Sequence, residues 1–140
     1  MKTALGLLVV SIVMTGTAAA QQPALQSAAT IRQLHESMIK PASEVIFNVG
    51  RESPRTHEQW TAISRAGTTL FESGNLLMLA LPAQDRATWI KLSQQLASAG
   101  PTARKSAEAR NLGALMRTSD RLVVVCETCH ARYRKQGPQD

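Results

Sequence analysis

The sequence predicts an all-α protein that folds as an antiparallel, up-down-up-down bundle of four helices. Apolar residues recur every three or four positions through most of the chain, which is the spacing of one face of an α-helix. Alternating runs of β-branched residues, the pattern of half-buried strands, are absent. The amphipathic stretches are joined by short links, and short links are typical of bundles in which successive helices lie side by side.

Length and charge limit the classes of function. The chain has 140 residues, of which 44% are hydrophobic, enough for one domain with a buried core. Its formal net charge of +6 favours encounter with acidic protein partners or anionic surfaces. The basic residues form no continuous run and are not interleaved with aromatic residues, so we predict no binding of nucleic acid.

Residues 1–20 have the pattern of a cleaved secretory signal peptide. Lys2 gives a short positive start, residues 4–14 are uncharged and apolar, and residues 18–20 are three alanines of the kind that a signal peptidase accepts. The apolar run is shorter than the about 20 residues that span a bilayer, although a retained N-terminal anchor is the alternative. We therefore expect a periplasmic domain over residues 21–140 that begins at Gln21 and has no membrane span.

The first helix is predicted over residues 25–49. Pro41 lies inside it and is expected to kink it, because proline donates no backbone hydrogen bond. The turn-rich residues 50–54 follow. The predicted apolar face consists of Ile31, Leu34, His35, Met38, Ala42, Val45, Ile46 and Val49.

Thr56 and Gln59 form the capping-box pattern that predicts the start of a second helix. Gly67 and Gly74 on its apolar face each cost about 1 kcal/mol of helix propensity relative to alanine. Close approach of a neighbouring helix, the commoner case, or room for a flat cofactor would compensate for that cost. The predicted face consists of Trp60, Ile63, Gly67, Leu70, Gly74, Leu77 and Leu81.

Asp85 and Asn111 are the predicted N-caps of a third and a fourth helix. The Gly-Pro pair at residues 100–101 is expected to bend or split the third helix. The predicted apolar face of the third helix consists of Trp89, Leu92, Leu96, Ala99, Ala103 and Ala107, and that of the fourth of Leu112, Leu115, Ser119, Leu122, Cys126, His130 and Tyr133.

The fourth helix carries Cys126-Glu127-Thr128-Cys129-His130, the C-x-x-C-H pattern for attachment of a c-type haem. On a helix, Cys126 and Cys129 lie about one turn apart, so both sulfurs reach the vinyl groups on one edge of a porphyrin. His130 lies on the same side, four residues after Cys126, where its imidazole becomes an axial ligand of the iron. The pattern therefore predicts one covalently attached haem c.

Three other roles of the cysteine pair are weaker. A thioredoxin-like redox pair follows a strand in a βαβ unit, and no such unit is predicted. A zinc site needs two further ligands at suitable spacing, and the chain has only two cysteines. A disulfide across two residues of a regular helix is strained. Haem attachment is the preferred interpretation.

With these features the chain resembles the cytochrome c′ family of haem-binding four-helix bundles. The resemblance rests on the leader pattern, the helix count and the C-terminal motif, which continues as Ala-Arg-Tyr-Arg over residues 131–134. The chain is similar to a subgroup with a Pro-Ala-Ser/Ala segment in helix one, here residues 41–43, and an Asn-Leu-Leu-Met-like segment in helix two, here residues 75–78. The resemblance covers nearly all of residues 21–140.

The resemblance implies roles for individual residues. It implies that Cys126 and Cys129 hold the haem, with His130 as the proximal ligand. It also implies that Arg134, one turn beyond that histidine, lies near the proximal face. Arg32, early in helix one, is the candidate partner of a haem propionate.

The sixth iron ligand decides between two functional types in the family. The subgroup places a methionine six residues before the helix-one proline, where this chain has His35; Met38, on the same face, is the other candidate. A sixth ligand implies a low-spin electron carrier that serves redox partner proteins, and an open site implies binding of nitric oxide or carbon monoxide. We predict the electron carrier, with the gas-binding protein as the alternative and a haem-free thiol oxidoreductase as a third hypothesis.

No Ser/His/Asp constellation or carboxylate pair predicts an enzyme, and His57 is expected to be exposed at a helix start. Members of the family often form dimers, so the resemblance also implies a possible homodimer.

Overall fold

The structure, a computed structural model, describes residues 27–80 and 85–134. Helix α1 is composite: it is α-helical over Ile31–Leu34, π-helical over His35–Ile39 and α-helical over Lys40–Phe47, and it ends in the 3₁₀ turn Asn48–Gly50. The other helices are α2 (His57–Leu79), α3 (Arg86–Glu108) and α4 (Leu112–Tyr133). No strand occurs among these described residues, which confirms the all-α prediction for them. The predicted signal peptide and Leu81 lie outside the described residues.

The predicted capping signals of α2 and α4 are confirmed. The hydroxyl of Thr56 accepts a hydrogen bond from the Gln59 backbone N–H at 3.2 Å, and the Gln59 side-chain oxygen accepts one from the Thr56 N–H at 3.0 Å. The side-chain oxygen of Asn111 accepts a hydrogen bond from the Ala114 N–H at 2.9 Å. Both helices therefore start where local hydrogen bonding satisfies their first backbone donors.

The start of α1 differs from the prediction. The helix begins at Ile31, behind a capping box in which Thr30 and Gln33 bond to each other's backbone N–H at 3.2 and 2.9 Å. Residues 27–30 are not helical, so the predicted start near residue 25 is wrong. The same Thr-x-x-Gln pattern that predicts the start of α2 marks this start too.

A π turn interrupts α1 immediately before Pro41. The N–H of residue 40 donates to the carbonyl of His35, five residues back. Proline has no N–H and its ring crowds the preceding turn, so the irregularity expected at Pro41 takes the form of a wider turn. The extra residue brings Ile39 into the buried face, which the prediction did not include, whereas Met38 is only partly buried against the core.

Helices α2 and α3 pack backbone against backbone. A Cβ atom added at Gly67 would lie 2.6 Å from the carbonyl oxygen of Gly100, and one added at Gly74 would lie 2.7 Å from that of Ser93. Close helix approach therefore accounts for both glycines, and this face of α2 leaves no room for a flat cofactor. Helix α3 runs through residues 100–101 without a break, so the expected split is wrong.

The buried side chains form one hydrophobic cluster that all four helices share. Helix α4 packs against α3, and α1 packs against α2, whereas α1 and α4 make fewer contacts with each other. The described residues of the predicted faces of α2, α3 and α4 are buried with four exceptions: Ala99, Cys126 and His130 are partly buried, and Leu112 is exposed. Among the described helices none combines the length and the apolar character needed to cross a bilayer.

Substitution of Gly67 by alanine is expected to lower the free energy of unfolding by about 1–3 kcal/mol, the usual cost of overpacking, even though alanine favours the helix. The new methyl group would force the backbones of α2 and α3 apart. Gly113→Ala is the matched control, because an added Cβ there meets only side-chain atoms at 3.6 Å or more. Thermal or denaturant unfolding measures both variants, and equal stability changes would contradict the close packing.

Candidate functional site

Two histidines from opposite ends of the chain meet between α1 and α4. His35 lies in the π turn of α1, and His130 lies in the last turn of α4. Their ring centroids are 5.6 Å apart, with the ring planes at 63°. The His35 side chain is 36% exposed, and His130 is also partly buried. The two residues proposed from the sequence as ligands on opposite sides of one iron therefore face the same small space.

The 5.6 Å separation is that of two rings in direct edge-to-face contact, and it is also close to the spacing that a shared metal ion would give. Two metal–nitrogen bonds of about 2 Å, with about 1 Å from each nitrogen to its ring centre, place the centroids about 6 Å apart. Among the described residues, no three His, Cys, Asp or Glu side chains converge to hold a bare ion. A haem iron needs only axial ligands from the protein, because the porphyrin supplies the others. Two histidines are therefore enough protein ligands for a haem iron, whereas a bare ion would need further ligands.

Cys126 and Cys129 lie on the same helix as His130 and pack, partly buried, against the hydrophobic core. Burial raises the pKa of Cys126 to about 11, and the neighbouring Cys129 and Glu127 act in the same direction. Burial also raises the pKa of Cys129. Reactive cysteines of thiol oxidoreductases have lowered pKa values, so these surroundings do not favour thiol exchange at neutral pH.

The electrostatic surroundings of His130 favour its neutral form. Its pKa is lowered, first by burial and then by His35 and Arg134. A neutral imidazole has the lone pair that binds a metal, so His130 is in its ligating form at neutral pH. Arg134 is exposed, and its backbone N–H donates to the His130 carbonyl at 3.0 Å. The structure thus places a positive charge beside His130, and the role of Arg134 next to a haem stays a prediction.

The end of α4 that carries the motif is held against the start of α3. The Arg132 guanidinium pairs with the Asp85 carboxylate, and the Tyr133 hydroxyl donates to the same carboxylate at 3.3 Å. The Tyr133 ring lies edge-on to Trp89 at 4.9 Å. The Trp89 indole N–H donates to the carbonyl of Leu77 at 2.7 Å, which links the contact to α2. Three helices therefore fix the position of the turn that follows His130.

Asp85 corrects the predicted capping of α3. It precedes the helix with a φ of 55°, a left-handed conformation that aspartate tolerates better than most residues. Its side chain makes no capping hydrogen bond to the helix backbone. The carboxylate instead joins two helices through Arg132 and Tyr133, contacts that sequence spacing does not reveal.

Asp85→Asn is expected to destabilise the protein at neutral pH and to have no effect in strong acid. The pKa of Asp85 is lowered below its ordinary value of 3.8, first by the Thr88 side chain and then by Arg132. A group whose pKa is lower in the folded state stabilises the protein above its ordinary pKa, and the effect is lost as the pH falls through the folded value. Unfolding measured from pH 7 to pH 2 checks this, with Asp120→Asn as the control for removal of one exposed carboxylate of α4. A stability difference that persists at the acid end would contradict it.

The structure also describes the other residues that the sequence analysis singled out. Met38 is partly buried against the core, as an ordinary core methionine would be. Arg32 is exposed in the first turn of α1. Their roles as sixth ligand and as propionate partner stay predictions. His57 is exposed at the start of α2, as predicted.

One residue that the motif analysis does not single out lies next to the histidine pair. Glu36 follows His35 directly, and its carboxylate oxygen Oε1 is 3.4 Å from His35 Nδ1. A carboxylate adjacent to a candidate ligand histidine was the only sequence signal for it.

Comparison with protein-family models, with curated proteins and with solved structures finds no match to this chain.

Proposed function

We propose that this chain is an exported, periplasmic c-type cytochrome of the cytochrome c′ type, which carries electrons between redox partner proteins on one covalent haem. The observation that carries the proposal is the 5.6 Å approach of the His35 and His130 rings. His35 and His130 are far apart in the sequence, so short-range structure alone does not bring their side chains together. The C-x-x-C pair lies immediately before His130. A haem bound between the two histidines would supply reversible one-electron chemistry at its iron.

Each side chain of the site has a separate task in this proposal. Cys126 and Cys129 attach the cofactor by thioether bonds and hold it against the apolar core. His130 donates its neutral imidazole as the proximal ligand. His35 would close the site to small molecules, and that closure separates an electron carrier from a gas-binding protein. As a strong donor, His35 also favours the ferric state more than a methionine thioether would.

An antiparallel order of the four helices belongs to the same proposal. The start of α1 meets the end of α4 at His35 and His130, and the start of α3 meets the end of α4 at Asp85 and Tyr133. The short links between helices support the same order. It leaves the haem at one end of the bundle, between α1 and α4, whereas the close contact of α2 with α3 excludes it from that side.

Ferric and ferrous absorption spectra of the purified holoprotein, with and without carbon monoxide, test the proposal. An intense Soret band, a low-spin ferric spectrum and little change with carbon monoxide are the expected results. A high-spin spectrum that responds to carbon monoxide would contradict ligation by His35 and support the gas-binding alternative. Absence of a Soret band from protein matured in a host with c-type haem attachment would overturn the cytochrome proposal altogether.

Export predicts the N-terminus of the mature protein. Cleavage after Ala20 is expected to leave a protein that begins at Gln21, because residues 18–20 match the small residues at a signal peptidase site. Intact mass and N-terminal peptide mapping of protein from the periplasmic fraction measure it. Recovery of the full leader in the membrane fraction would indicate a retained anchor instead.

A further inference from the structure

Three charged or polar side chains of one helical turn form a chain that ends at the histidine pair. The Nζ atom of Lys40 lies 3.9 Å from Oε2 of Glu36, and Oε1 of the same carboxylate lies 3.4 Å from Nδ1 of His35. The Glu36 and Lys40 side chains are more than half exposed. The carboxylate therefore has one oxygen toward a cation and the other toward the histidine that faces His130.

We propose that Glu36 is a positioning residue for His35, which holds the imidazole in the orientation and tautomer that bind iron. The inference rests on the proposed function and adds a residue to it. Histidines that bind metals commonly donate their second ring N–H to a carboxylate, which fixes the ring and increases its strength as a donor.

The geometry determines which nitrogen is left for the metal. A carboxylate accepts hydrogen bonds and does not donate them. The 3.4 Å approach of Glu36 to His35 Nδ1 is a charge contact and not a formed hydrogen bond, and in the iron-bound state we expect Nδ1 to carry the proton on the side that faces Glu36. In the neutral imidazole the other nitrogen, Nε2, then keeps the lone pair. The His35 side chain is 36% exposed. If Glu36 were removed, this contact would no longer favour one of its two neutral tautomers over the other.

The contact between His35 and Glu36 lies within the π turn of α1. Neighbouring residues of a regular helix point in different directions, so a residue pair at i and i+1 seldom interacts. Here His35 and Glu36 lie in the first positions of the wide turn His35–Ile39, and their side chains come within 3.4 Å. The alternative is that Glu36 serves only as the i, i+4 partner of Lys40, an exposed pair of small energetic value.

The affinity of the ferrous holoprotein for carbon monoxide tests the proposal, because the gas is uncharged and competes directly with His35. Glu36→Ala is expected to raise that affinity about tenfold, the lower end of the usual effect of losing such a partner. Glu36→Gln, whose amide oxygen still accepts a hydrogen bond, should restore much of the wild-type value. Glu44→Ala is the control, since it removes one exposed carboxylate farther along α1. Electron paramagnetic resonance of the ferric state should show a changed low-spin signal in Glu36→Ala alone.

The outcomes separate this inference from the proposed function. A low-spin wild type in which Glu36→Ala and Glu44→Ala behave alike would overturn the role of Glu36 and leave the cytochrome proposal standing. Lys40→Ala should have a smaller effect than Glu36→Ala, because it leaves the carboxylate beside His35 in place. A wild type that is already high-spin would remove His35 as a ligand and overturn both.

Discussion

Replacement of both Cys126 and Cys129 by alanine is expected to abolish covalent haem and to lower the free energy of unfolding by at least about 3 kcal/mol. A ligand that binds only the folded state stabilises it by about 2.7 kcal/mol when present at a hundred times its dissociation constant, and a tethered ligand exceeds that condition. Both thiols pack against the hydrophobic core, so the group they hold would also fill apolar space. This loss is a large fraction of the stability of an ordinary domain.

Acid–acetone extraction and intact mass measure the attachment, and denaturant unfolding measures the stability. The wild type should keep its colour and the mass of one haem through extraction, and the double variant should lose both. Val125→Ala, a partly buried neighbour of Cys126, is the control for loss of side-chain volume alone. A wild type that releases its haem as readily as the double variant would show that no thioether bonds form.

Local signals in the sequence predict most of the helical framework. The capping pattern at Thr56 and the side chain of Asn111 fix two helix starts through bonds that span three residues, and such bonds can be read directly from the sequence. The buried faces of α2 and α3 follow a regular helical period, so their core positions are predicted almost completely. The glycines of α2 are also explained in advance by the commoner of the two interpretations.

The departures come from irregular backbone and long-range contacts. A single-period pattern cannot anticipate that the π turn before Pro41 adds one residue and brings Ile39 into the core, while Met38 is only partly buried. Asp85 is of a residue type that often caps helices, so the sequence predicts a cap. Its carboxylate contacts Arg132 and Tyr133 of α4 instead, and local spacing does not predict contacts between residues so far apart in the sequence. Spacing within α4 predicts the haem motif, whereas the meeting of His35 with His130 depends on how α1 lies against α4.

Replacement of His35 by leucine is expected to convert a low-spin ferric spectrum to a high-spin one and to raise the affinity of the ferrous protein for carbon monoxide about a hundredfold. Leucine offers no ligand atom, so His130 would be left as the sole protein ligand. A protein whose open form is populated at about 1% binds an external ligand about a hundred times more weakly than one that is always open. In the His35→Leu variant no internal imidazole competes for the iron, so this hundredfold weakening of carbon monoxide binding is lost.

Met38→Leu is the matched control, because it removes the only other candidate ligand on α1 and keeps a side chain of similar size in a partly buried position. Its spectrum should stay low-spin, since the ring of His35 lies 5.6 Å from that of His130. Conversion to high-spin by Met38→Leu alone would move the sixth ligand to the methionine. A wild-type protein that is high-spin before any substitution would mean that His35 lies near the iron without binding it, and the chain would then belong with the gas-binding members of the family that it resembles.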